Sequence, residues 1–197
     1  MTPQGSFTHF YPTGAGVGCG LLSDGGGRCE PDWPHEGSAR DLPDVMAMSV
    51  SQFYLALIDL AGALTVDMDF VEPVDTVVVS GSWTAIAGDD WGSFCGLQRQ
   101  GTLVCWDLGP GPTSMPVPLS APTGTYQQVC LTANDQACVL DAGGKATCWG
   151  AERMEAPDET FSKLACGTHS VCGLTDDGRI VCWGACDNGE CDVPTYE

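Results

Sequence analysis

Pairs of cysteines ten positions apart, with a glycine turn between them, recur along the chain and set the strongest limit on its fold. The clearest copy is Cys172-Gly173-Leu174-Thr175-Asp176-Asp177-Gly178-Arg179-Ile180-Val181-Cys182-Trp183-Gly184. Two short apolar stretches flank a polar turn closed by Gly178, which reads as a β-hairpin. Cys172 and Cys182 are equidistant from that turn, as are Leu174 and Ile180. In an antiparallel pair each residue therefore faces its partner on the same side of the sheet. Facing Cβ atoms lie about 4.5–5.5 Å apart, near disulfide reach. The spacing repeats at Cys19 and Cys29, Cys95 and Cys105, and Cys138 and Cys148, with Gly25, Gly101 and Gly144 in the turns. Four hairpin disulfides are expected.

A degenerate fifth copy, Ala56-Leu57-Ile58 with Gly62 and Val66, lacks the cysteines. With it included, hairpins start 34 to 43 residues apart, a period typical of propeller blades or solenoid turns. Phe7, Trp83, Tyr126 and Phe161 each precede the first cysteine of their repeat by eleven or twelve residues. Each opens what reads as an alternating apolar run, hence a half-buried strand. Trp106, Trp149 and Trp183 follow the second cysteine and read as core between units. Pro3, Pro122, Pro157 and Pro194 recur at one phase, so the chain starts and stops at the same point of the repeat, as a closed ring requires. With no helical periodicity and 26 Gly and 13 Pro, the expectation is an all-β propeller of five blades. It forms a single domain, with repeats at approximately 3–43, 44–79, 80–121, 122–157 and 158–197. In the weak second repeat Met46, Met48 and Phe70 read as core, and Asp107 to Thr125 reads as a surface loop.

Twelve cysteines in 197 residues, paired in spacing, point to an oxidising compartment: extracellular, periplasmic or cell surface. Met1 to Ser6 lack the charged and apolar regions of a signal peptide, so either a signal has been removed ahead of Met1 or the secreted reading is wrong. Seven basic residues against 26 acidic ones give a net charge of −19. That balance argues against nucleic acid and anionic membranes as partners and suits solubility or a basic protein partner. No apolar run is long enough for a membrane-spanning helix.

The pattern Gly167-Thr168-His169-Ser170-Val171-Cys172-Gly173-Leu174, followed by Gly178 to Gly184, resembles the RCC1-like repeat. The likeness is strong over residues 83–197 and weaker over 1–80. The paired cysteines look like the extracellular variety, as in bacterial secreted RCC1-repeat proteins and crinkly4-type receptor ectodomains. The resemblance implies a β-propeller used for protein recognition, in a family whose members usually have about seven blades. It also implies a structural hydrogen-bonding role for His169. Members include exchange factors for small GTPases, a β-lactamase inhibitor and receptor ectodomains, and no residue set here chooses among them.

Of the remaining cysteines, Cys186 and Cys191 are spaced to close the final turn together. Cys130 and Cys166 occupy near-equivalent places in consecutive repeats and are candidates to bridge them; the pairing of these four stays open. Loops between the first and second strands of each repeat cluster at one end of a propeller, and the candidate binding residues lie there. They are Phe53, Asp89, Asp90, Trp91, Asn134, Asp135, Gln136, Thr168 and His169. Asp187, Glu190 and Asp192 offer oxygen ligands close together but match no calcium-binding loop, so they are a weak metal candidate. No catalytic set, phosphate-binding loop or dinucleotide fingerprint is present, and no cofactor is expected. The reading is a non-enzymatic, secreted or surface protein-binding module. The alternative is a lectin-like propeller for glycans or small ligands, and an enzyme at the propeller mouth ranks third.

Overall fold

In a computed structural model, each predicted hairpin forms the second and third strands of a separate antiparallel sheet. The structure describes residues 7–12, 17–23, 25–31, 40–42, 44–51, 54–67, 76–89, 91–107, 117–132, 136–150, 154–187 and 189–193. The first sheet holds β1 (Phe7–Pro12), β2 (Val17–Leu22), β3 (Gly27–Pro31) and β4 (Arg40–Leu42). The second holds β5 (Val45–Val50), β6 (Leu55–Asp59), β7 (Leu64–Asp67) and β8 (Thr76–Val79). The third holds β9 (Trp83–Gly88), β10 (Ser93–Gln98), β11 (Leu103–Asp107) and β12 (Val117–Leu119). The fourth holds β13 (Tyr126–Leu131), β14 (Gln136–Asp141) and β15 (Ala146–Gly150). The fifth holds β16 (Phe161–Cys166), β17 (Ser170–Thr175) and β18 (Ile180–Gly184). Strands pair in sequence order within each sheet, giving five up-and-down blades.

The cysteines face one another as the hairpin symmetry requires: Cys19 opposite Cys29, Cys95 opposite Cys105, Cys138 opposite Cys148 and Cys172 opposite Cys182. All four pairs are disulfide-bonded, with Cα–Cα distances of 4.0–4.1 Å, the short cross-strand spacing of a non-hydrogen-bonded pair. Cys186 bonds Cys191, and Cys130 bonds Cys166. The last is the one disulfide joining two blades.

Each first strand carries a bulge one residue after its start, at Thr8, Met46, Thr84, Gln127 and Ser162. The extra residue turns the opening aromatic onto the same face as the residue three further on. Phe161 and Leu164, or Trp83 and Ile86, are thus buried side by side. The simple alternation read from these runs is corrected accordingly. The bulge hydroxyls of Thr84 and Ser162 donate back to the carbonyls of Leu97 and Leu174. The bulge also explains Met46, expected in the core but 37% exposed, whereas Met48 is buried at 2%. Phe70 lies outside the described residues.

The stretch read as a single surface loop, Asp107 to Thr125, contains β12, which pairs with the end of β11. Pro118 is tolerated there because β12 is an edge strand.

The core is the repeated apposition of one blade's face on the next, cystine or aliphatic on one side and mostly aromatic on the other. Cys19, Leu21 and Cys29 pack on Val45, Met48 and Leu55 of the second blade. Ala56, Ile58, Leu64 and Val66 meet Trp83, Ile86, Phe94 and Trp106 of the third. Cys95, Leu97, Leu103 and Cys105 meet Val129, Tyr126 and Trp149 of the fourth. Cys138, Leu140 and Ala146 meet Phe161, Leu164, Val171 and Trp183 of the fifth. Burying one side chain such as Phe161 contributes roughly 1.5–3 kcal/mol. Glycine makes room for the rings: Gly173 lies beneath Phe161, Gly96 beneath Trp83 and Gly20 beneath Phe7.

Backbone bonds set the stagger between blades. The turn carbonyls of Gly62, Gly101 and Gly144 accept the amides of Trp83, Tyr126 and Phe161 in the next blade.

Candidate functional site

First strands end and second strands begin at one end of the propeller, and the loop there from β9 to β10 is described except at residue 90. Asp89 is 4% exposed, and its Oδ1 accepts the amides of Trp91 and Ser93, both at 2.9 Å. Its own amide donates to the Ser93 carbonyl at 3.0 Å. A short acidic side chain that gathers nearby amides is the usual way to hold an Asx-type turn. Gly92 completes the turn with φ of 97°, and a Cβ there would lie 3.0 Å from the Tyr54 hydroxyl. Gly88, entering the loop, donates its amide to Ser49 Oγ of the second blade at 2.9 Å. The loop is therefore fastened from within and from its neighbour. Trp91 projects from it, 72% exposed.

Tyr54 supports this loop from the second blade. Its ring meets Phe94 edge-on, centroids 5.7 Å apart. Burial, reinforced by Asp107 and Asp89, pushes its phenol above the ordinary value, so it remains a neutral hydroxyl at neutral pH. The sequence reading named the adjacent Phe53 and missed Tyr54. The available signal was the Ser51-x-x-Tyr54 loop itself, in which Ser51 Oγ accepts the Tyr54 amide at 3.1 Å.

Gln136 opens β14 at the same end. It is 4% exposed, and among the described residues its Oε1 has no hydrogen-bond partner. With Ser93, Asp107, Ser120 and Trp149 it lines a cleft of about 290 Å³ between the third and fourth blades. Trp149 is therefore half core and half cleft wall, while Trp106 and Trp183 are buried at 3% and 7%.

Thr168 and His169 lie exposed between β16 and β17. Among the described residues the bond at this position comes from the His169 carbonyl, which accepts the Ala185 amide at 3.0 Å, and not from the imidazole. Asp90, Asn134, Asp135 and Phe53 lie outside the described residues. The structure thus joins Asp89 and Trp91 in one loop, with Asp89 organising it from beneath, and sets Gln136 in the cleft lined by Ser93 of the same loop. Near the C-terminus the Cys186–Cys191 disulfide closes the turn bearing Asp187 and Glu190, with Asp192 just beyond it. Among the described residues no three His, Cys, Asp or Glu side chains converge as metal ligands.

At the opposite end, tight glycine turns join second to third strands. Arg179 there bonds Asp177 Oδ2 at 2.9 Å and Glu159 Oε2 at 3.0 Å. The Thr175 hydroxyl, and then Arg179, hold the Asp177 carboxyl at about 2.

A family model described as the regulator of chromosome condensation (RCC1) repeat matches residues 161–190. No curated protein matches the chain. Among solved structures, the entire ectodomain of the Physcomitrella patens receptor kinase CR4 is similar, at 22% identity and TM-score 0.62, covering 92% of this chain and 53% of that one. Prp20p from Saccharomyces cerevisiae, studied for its binding to Gsp1p and histones, aligns at 13% identity and TM-score 0.70, covering 94% and 59%. Human WBSCR16 aligns at 14% identity and TM-score 0.69, covering 92% and 63%. The chain spans between about half and two thirds of the length of these propellers. Its blade order and paired cysteines agree with these folds: it is a disulfide-stapled β-propeller whose residues 161–190 match the RCC1 repeat.

Proposed function

We propose that this propeller is an extracellular protein-binding module that engages its partner through the loop end carrying Trp91. The observation that carries the reading is a large aromatic, 72% exposed, on a loop held in place by Asp89, Gly92, Tyr54 and Ser49. Aromatic anchors dominate protein interfaces, and a pre-ordered loop avoids the entropic cost of fixing one on binding. The cleft beside it, with Asp107 and the Gln136 oxygen, offers acceptors to a donor-bearing side chain. A net charge of −19 steers a basic partner and makes its association salt-sensitive. Six disulfides suit an oxidising exterior.

The test is selection of binders from a displayed library of secreted and surface proteins, followed by affinity measurement on two variants. Trp91→Ala is expected to weaken selected partners about 30-fold, the loss of one hot spot of about 2 kcal/mol. Arg179→Ala, at the opposite end, is expected to leave them unchanged. Partners insensitive to Trp91 and sensitive to Arg179 would overturn the assignment of the surface.

A further inference from the structure

The cleft between the third and fourth blades is lined by a buried acceptor that the fold itself does not use. Gln136 is 4% exposed, and among the described residues its Oε1 has no hydrogen-bond partner. The same first position of the second strand is Val17, Leu55, Ser93 and Ser170 in the other blades, so this amide is peculiar to the fourth. Gly150 stands opposite it on β15 and carries no side chain to cover or bond it. A buried carbonyl oxygen without a donor is costly, and Gln136 forms part of the wall of a cleft of about 290 Å³. A donor brought from outside the fold would satisfy it.

The rest of the wall determines what kind of donor fits. Asp107 ends β11 opposite Ser93 and adds a carboxylate to the lining. Burial first, and then Asp107 and Asp89, raise the Tyr54 phenol, so negative potential gathers beside the cleft. Among the described residues no lysine or arginine lines it. Trp149, half-buried and packed on the cluster that holds the Cys95–Cys105 disulfide, offers a flat aromatic wall, and Leu131 and Ala137 are apolar. A planar cation on an apolar stem matches this set. A guanidinium can meet a carboxylate and an amide oxygen at once while stacking on an indole, which a compact ammonium cannot do. The volume lies below the range of about 300–1,000 Å³ usual for whole ligands, and suits a single side chain. Ser93, on the cleft wall, donates its amide to Asp89 in the Trp91 loop. Building on the protein-binding reading above, we propose that this cleft is the socket for an arginine side chain of the partner, with Trp91 gripping the surface beside it.

The probe is N-acetylarginine methylamide, titrated into the intact protein and followed at the Trp149 indole and Gln136 side-chain amide resonances. Saturable binding at about 1 mM is expected, with the lysine analogue about 5-fold and the neutral citrulline analogue about 10-fold weaker. Gln136→Met nearly keeps the volume and removes the unpartnered acceptor. It is expected to melt at or above the wild type yet bind the probe about 5-fold more weakly, whereas Trp91→Ala leaves the affinity for the probe unchanged. The absence of a saturable shift up to about 50 mM overturns the socket. So does equal binding of the three analogues, or an affinity indifferent to Gln136→Met. Library-selected partners separate the socket from the wider surface. Dependence on Trp91 without dependence on Gln136 overturns the socket and leaves the surface standing; dependence on Gln136 alone upholds the socket and moves the surface away from Trp91.

Discussion

The fit of an aromatic ring over a glycine is the feature on which blade packing most directly depends, and Gly173→Ala measures it. A Cβ at this position would lie 2.3 Å from Phe161 Cδ1, 2.6 Å from Cε1 and 2.8 Å from Cγ. The ring cannot withdraw. Phe161 is 2% exposed, Trp183 stacks on it at 5.3 Å, and the fourth blade closes the far side. Overpacking of this kind costs about 1–3 kcal/mol, and contact with a confined ring places it near the upper end. Replacing glycine in a strand returns about 0.5–1 kcal/mol. The net expectation is a loss of about 2 kcal/mol. In a Phe161→Leu background the obstructing ring edge is gone, and the same substitution is expected to be neutral or slightly stabilising. The double-mutant cycle should therefore show a coupling of about 2–3 kcal/mol. Gly178→Ala is the control: its surroundings are open but its φ is 88°, so it should cost about 1 kcal/mol in either background. The assay is urea unfolding without reductant, followed by tryptophan fluorescence. An equal cost of Gly173→Ala in both backgrounds would refute the ring-over-glycine account.

Removing the inter-blade disulfide with Cys130→Ala and Cys166→Ala opens a loop of 36 residues, against 10 for a hairpin pair. Loop-closure entropy gives about 3.8 against about 2.7 kcal/mol, so urea midpoints should fall further for the inter-blade pair than for Cys172→Ala with Cys182→Ala. Asp177, held at about 2, titrates below the ordinary carboxylate value of 3.8. Its contribution to stability is therefore present above that value and lost as pH falls toward 2. Thr175→Val should move its NMR-detected titration upward, and an unmoved midpoint would assign the effect to Arg179. Asp89→Ala removes the acceptor of two amides and is expected to cost about 1–3 kcal/mol. Hydrogen exchange at Trp91 and Ser93 should accelerate while that of β14 stays unchanged.

The blades were legible because their markers are chemical. Cysteines on facing positions and glycines in turns fix hairpin register without knowledge of tertiary contacts. The first strands were located correctly by their aromatics but assigned the wrong internal pattern. A bulge is a backbone event: the hydroxyls of Thr8, Thr84 and Ser162 bond back across it, but Met46 and Gln127 carry none, so no one side chain announces it. That is why Met46 was expected in the core. The edge strands β4, β8 and β12 escaped notice for a different reason. With three or four residues each, they are too short for alternation to register, and β12 carries a proline. At the loop end, Trp91 stood out in the sequence because it breaks the phase of the other tryptophans. The burial of Asp89 and the support from Tyr54 depend on packing between neighbouring blades, which no local pattern encodes.

The order in which the sulfurs appear during synthesis has a consequence for how the molecule matures. Four of the six bonds join cysteines ten residues apart, and Cys186 and Cys191 are closer still. In a chain entering an oxidising compartment from its N-terminus, each such partner arrives almost at once, before a competing thiol is nearby. Cys130 is the exception. It must wait unpaired while Cys138 and Cys148 emerge and join, and its partner Cys166 follows only 36 residues later. Its capture requires the fifth blade to have settled against the fourth. In such a compartment the Cys130–Cys166 bond would report the docking of the fifth blade on the fourth, and a lingering thiol at Cys130 would mark a molecule in which they have not yet met.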